Sequence, residues 1–211
     1  MTESRRPLSS RETGWARALA AHFAASSVTP NQISVASVGF AAAGCVLFAL
    51  VPHGGPVAQP VLLILAAAMI QLRLLCNLLD GMVAIEGGKS SPTGAFWNEA
   101  PDRAADALFF CGAGLAARLP ELGLGCALLA VATAYLRELG RAEGFAADFC
   151  GPMAKQHRMA ALTLGCLLAA LLPVKASAAA ILIAALCIIL AGTAFTVLRR
   201  ARRLLRALAA R

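Results

Sequence analysis

Asn77-Leu78-Leu79-Asp80-Gly81-Met82-Val83-Ala84, followed by Gly94-Ala95-Phe96-Trp97-Asn98-Glu99-Ala100-Pro101-Asp102, sets acidic and amide side chains at helical spacing among glycines. The rest of the chain reads as membrane. Of its 211 residues 59% are hydrophobic and only 14% are charged, against about a quarter charged in soluble domains. An ionisable residue inside a bilayer is costly and marks a functional site by default. Several of them converging on glycines point to a site for a metal ion and phosphate.

Working outward, six apolar runs approach the roughly 20 residues needed to cross a bilayer. They span about 32–51, 60–84, 94–117, 121–141, 155–172 and 177–198. Pro52 to Pro56, Glu86 to Pro92, Leu119-Pro120 and Pro173 punctuate them. Arg5, Arg6, Arg11 and Arg17 precede the first run, and Lys89 lies between the second and third. Arg137, Arg141, Lys155 and Arg158 flank the loop after the fourth. Arg199, Arg200, Arg202, Arg203, Arg206 and Arg211 follow the sixth. The alternate loops hold only Arg118 and Lys175. This asymmetry predicts both termini in the cytoplasm. It accounts for most of the +8 net charge and disfavours nucleic acid as a partner.

The expected fold class is thus an all-α integral membrane protein of six transmembrane helices. Residues 1–28 form an interfacial segment, 29–198 a catalytic membrane domain and 199–211 a basic tail. Within the first segment, residues 12–25 read as an amphipathic helix with Trp15, Leu19 and Phe23 on its apolar side. No cleavable signal peptide is visible, which fits a bacterial inner membrane with the site facing the cytoplasm. The tail orients the chain and could bind anionic lipid. Seven cysteines show no CxxC spacing and read as small apolar side chains.

On the second run Arg73, Asn77, Asp80 and Ala84 recur at i, i+4, i+7 and i+11, one helical face. On the third, Asn98, Asp102 and Asp106 recur at i, i+4 and i+8. The short connection predicts antiparallel neighbouring helices whose polar faces meet. Mg²⁺ takes oxygen ligands, commonly one or two carboxylates with substrate phosphates. Gly81 and Gly94 allow a ligand close to the backbone. Arg73 and Asp106 each lie about 6 Å deeper than Asn77 and Asp102, which predicts an intramembrane ion pair. Glu99 and Arg103 form an i, i+4 pair. Pro101, lacking an N–H, should loosen the start of the third helix.

The segment resembles the signature of the CDP-alcohol phosphatidyltransferase family, Asp-x2-Asp-Gly-x2-Ala-Arg-x8-Gly-x3-Asp-x3-Asp. The pattern falls without a gap on Asn77, Asp80, Gly81, Ala84, Ile85, Gly94, Asn98 and Asp102. Thr29-Pro30-Asn31 resembles the opening of the family's first span. Arg137-Glu138 and Lys155-Gln156-His157-Arg158 resemble its later basic positions. The resemblance implies transfer of a phosphatidyl or related phosphoalcohol group from a CDP-alcohol to an acceptor hydroxyl, releasing CMP. It implies Mg²⁺ or Mn²⁺ at Asn77, Asp80, Asn98 and Asp102, with Asp102 as general base. It places Asp80, Gly81, Ala84 and Gly94 at the CDP group. Arg137, Lys155 and Arg158, at the cytoplasmic ends of the fourth and fifth runs, read either as positive-inside anchors or as an anion pocket for a phosphorylated acceptor or for the diphosphate. The family tends toward homodimers.

Asn77 and Asn98 stand where the family has Asp, and Ile85 where it has Arg. Two matched carboxylates balance one divalent ion, not two; Glu86, Glu99 and Asp106 lie near enough to compensate. A second reading follows from these losses: a lipid- or nucleotide-binding membrane scaffold without turnover. A transporter, the third class, lacks the inverted repeat or paired broken helices such proteins use.

Overall fold

The computed structural model describes residues 13–172 and 178–211. The described residues form seven α-helices and no strand. They are α1 (Gly14–Ala25), α2 (Pro30–Leu50), α3 (Ala58–Ile85), α4 (Gly94–Ala116), α5 (Pro120–Ala142), α6 (Lys155–Leu171) and α7 (Ala178–Ala209). A 3-10 turn, Val51–His53, follows α2. The expectations for Arg5, Arg6, Arg11, Glu12, Pro173 and Lys175 lie outside the described residues.

Local chemistry sets several boundaries. Thr29 caps α2 in a reciprocal capping box with Gln32, and Pro30 occupies the first turn, where its missing N–H costs nothing. Pro120 opens α5 in the same way. Arg118, the one non-glycine described residue with positive φ (58°), makes the sharp reversal between α4 and α5. The α4 helix runs through Pro101 without a break.

The helices α2, α3, α5 and α7 are long and apolar enough to cross a membrane. The α6 helix has only 17 residues, and α4 carries the polar residues of the signature segment. Six helices close into a ring in the order α3, α2, α4, α5, α7, α6, with α6 returning to α3. Large apolar side chains such as Val46, Ile64, Leu128, Leu164, Ile188 and Phe195 point outward from five of them.

The ring corrects one expectation. The α3 and α4 helices are not packed along their lengths; α2 lies between them and packs heavily on both. Small residues make this wedge fit. A Cβ on Gly112 of α4 would come within 2.9 Å of the Cys45 backbone of α2. A Cβ on Gly44 of α2 would strike the Phe109 ring of α4 at 2.4 Å. Between α4 and α5, Gly114 and Gly123 stand face to face, a Cβ on either falling about 3.0 Å from the other's backbone. Close approach through small residues replaces the hydrophobic driving force that lipid cannot supply.

The α1 helix packs on α3 through Ala16 and Ala20, which are buried, with Leu19 and Phe23 at the flanks. Trp15 is instead 57% exposed, because the narrow alanine stripe is what admits α3 closely. Lys89, in the α3–α4 connection, donates from its ammonium to the carbonyls of Phe23, Ser26 and Val28. It thereby holds the C-terminal end of α1 at the same end of the bundle as the signature segment.

Candidate functional site

The N-terminal ends of α2, α4 and α6 and the C-terminal ends of α3, α5 and α7 all lie at one end of the ring. A cavity of about 1060 Å³ opens there. Asn77, Asp80, Gly81, Ala84 and Ile85 line it from α3, and Gly94, Asn98 and Asp102 from α4. Arg137 and Arg141 reach it from α5, Lys155 and Arg158 from α6, and Trp15 from α1. All eight positions of the signature pattern therefore face one space. His157 is exposed and does not line it.

Below the cavity runs a network of buried charge. Arg73 is fully buried. Its Nη2 donates to Asp106 Oδ1 at 2.8 Å, to Asp102 Oδ1 at 3.1 Å and to the Asp102 carbonyl at 3.3 Å. Arg158 Nη2 donates to the other oxygen of Asp106 at 3.1 Å. Its Nη1 reaches the Met153 carbonyl at 3.1 Å and Thr133 Oγ1 at 3.4 Å. Asp106 is thus clamped between two guanidiniums from α3 and α6. In a low dielectric such pairing is what makes a buried carboxylate tolerable.

One layer up, Asp102 faces three cations. Arg73 holds Oδ1, while Lys155 and Arg103, the latter at 3.5 Å, face Oδ2. The Lys155 ammonium also donates to Asn77 Oδ1. It therefore joins α3, α4 and α6 across the cavity floor. Asp80 is held differently. Ser34 Oγ of α2 donates to its Oδ2 at 2.7 Å, and its Oδ1 is buried without a hydrogen-bond partner.

On the facing wall, Arg137 binds Glu99 and, at 2.8 Å, Glu138; its guanidinium lies 5.7 Å from the centre of the Phe149 ring. Glu99 is shared with Arg103 at 2.9 Å. Glu86 lies beyond the cavity lining. In the α5–α6 connection, burial alone would push the Asp148 carboxyl up. The Cys150 backbone N–H and thiol, with Arg203 and Arg200, outweigh that and hold it below the usual carboxylate range.

Several of these residues escaped the sequence reading. Ser34 sits in the capped opening of α2, but nothing in the periodicity of α2 tells which helix it faces. Arg200 reads as one more tail arginine. Yet it is 6% exposed and donates to the carbonyls of Thr133 at 2.7 Å and Cys150 at 3.0 Å. The basic stretch after residue 198 continues α7 without interruption, which is what carries Arg200 back to the cavity.

The donor set can be tested against a divalent ion. Asp80 Oδ1 is an orphaned buried acceptor, and the Asn77 and Asn98 amides line the same cavity. Hard oxygen donors of this kind suit Mg²⁺ or Mn²⁺. Among the described residues no three His, Cys, Asp or Glu converge as a ligand group, and both Asp102 oxygens already face cations. The residues present fit one divalent ion.

A closed ring of helices around a cavity with an Asp-Gly and amide wall defines the fold class, an all-α bundle with helices long and apolar enough to cross a membrane. In particular, the chain is similar to solved structures of phosphatidylinositol phosphate synthase (PgsA1) from Mycobacterium tuberculosis. With CDP-DAG bound, that protein matches at a TM-score of 0.74 and 20% identity, over 90% of this chain and 92% of the other. In complex with manganese and citrate it matches at 0.74 and 20% identity, over 90% and 88%. The apo form matches at 0.68 and 20% identity, over 90% and 94%. No protein-family model and no curated protein sequence matches the chain. At 20% identity the likeness fixes the fold.

Proposed function

We propose that the protein is a divalent-metal-dependent phosphotransferase. It moves a phosphatidyl or related phosphoalcohol group from a CDP-alcohol, such as CDP-diacylglycerol, to an acceptor hydroxyl and releases CMP. The observation that carries this reading is the convergence of all eight signature positions on one cavity. The same fold in a protein solved with CDP-DAG bound supports it.

In this reading α2 to α7 all cross the bilayer. The enclosed position of α4, between α2 and α5 and touching α7, explains why its sequence can be polar. Arg137, Arg141, Lys155, Arg158 and the arginines after residue 198 lie at the cavity end, so this end faces the cytoplasm of a bacterial inner membrane. A homodimer is consistent with the family tendency.

The nucleotide lies along Asp80, Gly81, Ala84 and Gly94. A Cβ on Gly94 would meet only Ser91 Oγ, at 3.7 Å, so this glycine leaves open space beside the cavity rather than filling a tight helix contact. The N-termini of α4 and α6 have no side-chain cap, and helix N-termini of this kind suit phosphate. Asp80, with Asn98, would hold the metal, and Asn77 and Asp102 would join them once Lys155 has turned away. When bound, the ion neutralises the diphosphate and stabilises charge developing on transfer. Arg137, Lys155 and Arg158 attract the phosphates; Arg137 would exchange Glu99 for the acceptor's phosphate.

Asp102 takes the proton of the acceptor hydroxyl. The freed oxygen bonds to the phosphorus that bears the alcohol, and the bond from that phosphorus to CMP breaks. For Oδ2 to accept the proton, Lys155 has to turn from Asp102 toward the incoming phosphates.

A second reading is a scaffold that binds CDP-lipid without turnover. The engagement of both Asp102 oxygens by cations favours it. Incubating the purified protein with CDP-diacylglycerol, Mn²⁺ and a panel of hydroxyl acceptors separates the two. CMP appears under the first reading. Under the second, CDP-lipid binds, no CMP appears, and Asn77→Asp with Asn98→Asp creates activity.

A further inference from the structure

We infer that the Lys155 ammonium is the built-in second cation of this site. It occupies the space between Asn77 and Asp102 that a second divalent ion would otherwise fill. The inference rests on the phosphotransferase reading for its purpose, but its geometry stands on its own.

Nζ donates to Asn77 Oδ1 and to Asp102 Oδ2, from two different helices. Those are the contacts that an ion bridging α3 and α4 would make. An ammonium carries one positive charge, and Asn77 contributes an oxygen but no charge. A monovalent ammonium beside a neutral Asn77 carries the same net charge as a divalent ion beside a carboxylate at that position, so the lysine can stand in for the ion without adding charge. The neighbouring charges agree. Arg73, Arg103 and Lys155 all face Asp102, and Arg73 and Arg158 face Asp106, so each of these carboxylates already meets more than one cation. A second divalent ion beside Lys155 and Arg73 would meet repulsion with no carboxylate left to offset it. Asp80 Oδ1, which is buried without a hydrogen-bond partner, is the acceptor left for a single ion. Lys155 is flexible and not coordinated, so it can pass from Asp102 to an arriving diphosphate. A bound metal ion could not do this without losing its own ligands.

A plainer role for Lys155 would be to neutralise Asp102 and no more. Mn²⁺ binding to the purified protein, measured by electron paramagnetic resonance and calorimetry without any turnover, tells the two apart. The wild-type chain is expected to bind one Mn²⁺. Asn77→Asp alone is expected still to bind one, because the lysine keeps its place. Asn77→Asp combined with Lys155→Met is expected to bind two. Should the double variant fail to fold, Lys155→Met alone is expected to bind its single Mn²⁺ at least tenfold more tightly. Two ions in the wild type, two in Asn77→Asp, none in the wild type, or one in the folded double variant would each overturn the inference. So would unchanged Mn²⁺ affinity in Lys155→Met. CDP-diacylglycerol binding is measured separately. A chain that binds one Mn²⁺ but no CDP-lipid refutes the phosphotransferase reading and leaves the lysine assignment standing.

Discussion

Arg73 has no access to solvent, and a single nitrogen of its guanidinium reaches both carboxylates of α4 that the site depends on. Replacing it with Leu leaves Asp102 with Lys155 and Arg103, and Asp106 with Arg158, but removes the charge that ties α3 to both. Breaking a buried pair from one side costs about 3–5 kcal/mol. Thermal unfolding in detergent should therefore show a large loss for Arg73→Leu, and an unchanged melting temperature would contradict the network. Asp102→Asn keeps the size and one acceptor oxygen but removes the proposed base. It should lower turnover by about 10²–10⁴-fold while CDP-diacylglycerol still binds; weakened binding with unchanged turnover would remove Asp102 from the chemistry. This layer was partly legible in the sequence. Helix rise alone placed Arg73 opposite Asp106, because both residues sit on regular helices at known depth. The second guanidinium on Asp106 was not legible, since Arg158 reads equally well as a ligand for phosphate. Ser34 was hidden for a related reason: its partner Asp80 lies on another helix, 46 positions away.

At the scale of helices, short connections suggested that consecutive elements pack together, and for α3 and α4 that is incomplete. The wedge of α2 between them depends on Gly44, Gly112 and other small residues, whose role cannot be read without knowing their neighbours. The α4–α5 contact offers a direct check. A Cβ on Gly123 would lie 2.3 Å from the Phe110 carbonyl and 2.9 Å from Gly114 Cα. Both are backbone atoms that cannot swing aside. Gly123→Val should destabilise the protein by about 1–3 kcal/mol, read as a lower melting temperature; a neutral effect would mean the two helices are not so close. Lys89→Ala should release the end of α1, seen as faster hydrogen exchange over 14–25 with the melting temperature little changed. Protection equal to wild type would show that the alanine stripe alone holds α1. The length of α7 was also missed. Its 32 residues span about 48 Å, more than the roughly 30 Å hydrocarbon core. The sequence reading divided it where apolar residues give way to arginine, although a helix needs no change of backbone there.

Across the whole molecule, hydropathy and the spacing of the signature gave the architecture. Five of the six apolar runs match helix ends within about two residues, because proline, glycine and charge punctuate them clearly. The ring order was not legible, since every helix presents similar apolar faces and only tertiary packing selects among them. The site was legible as a set of residues and illegible as a charge distribution. Asn77, Asp80, Asn98 and Asp102 share one cavity as their spacing implied, but the lysine between two of them belongs to a distant helix. We propose that this arrangement transfers a phosphoalcohol group. The most direct test is CMP release from CDP-diacylglycerol by the purified, folded protein with Mn²⁺ and a panel of acceptor alcohols and alcohol phosphates. CMP is expected in stoichiometric yield with a new phospholipid, and is lost on removal of the metal. CDP-diacylglycerol bound in the cavity with no CMP formed from any acceptor would contradict it.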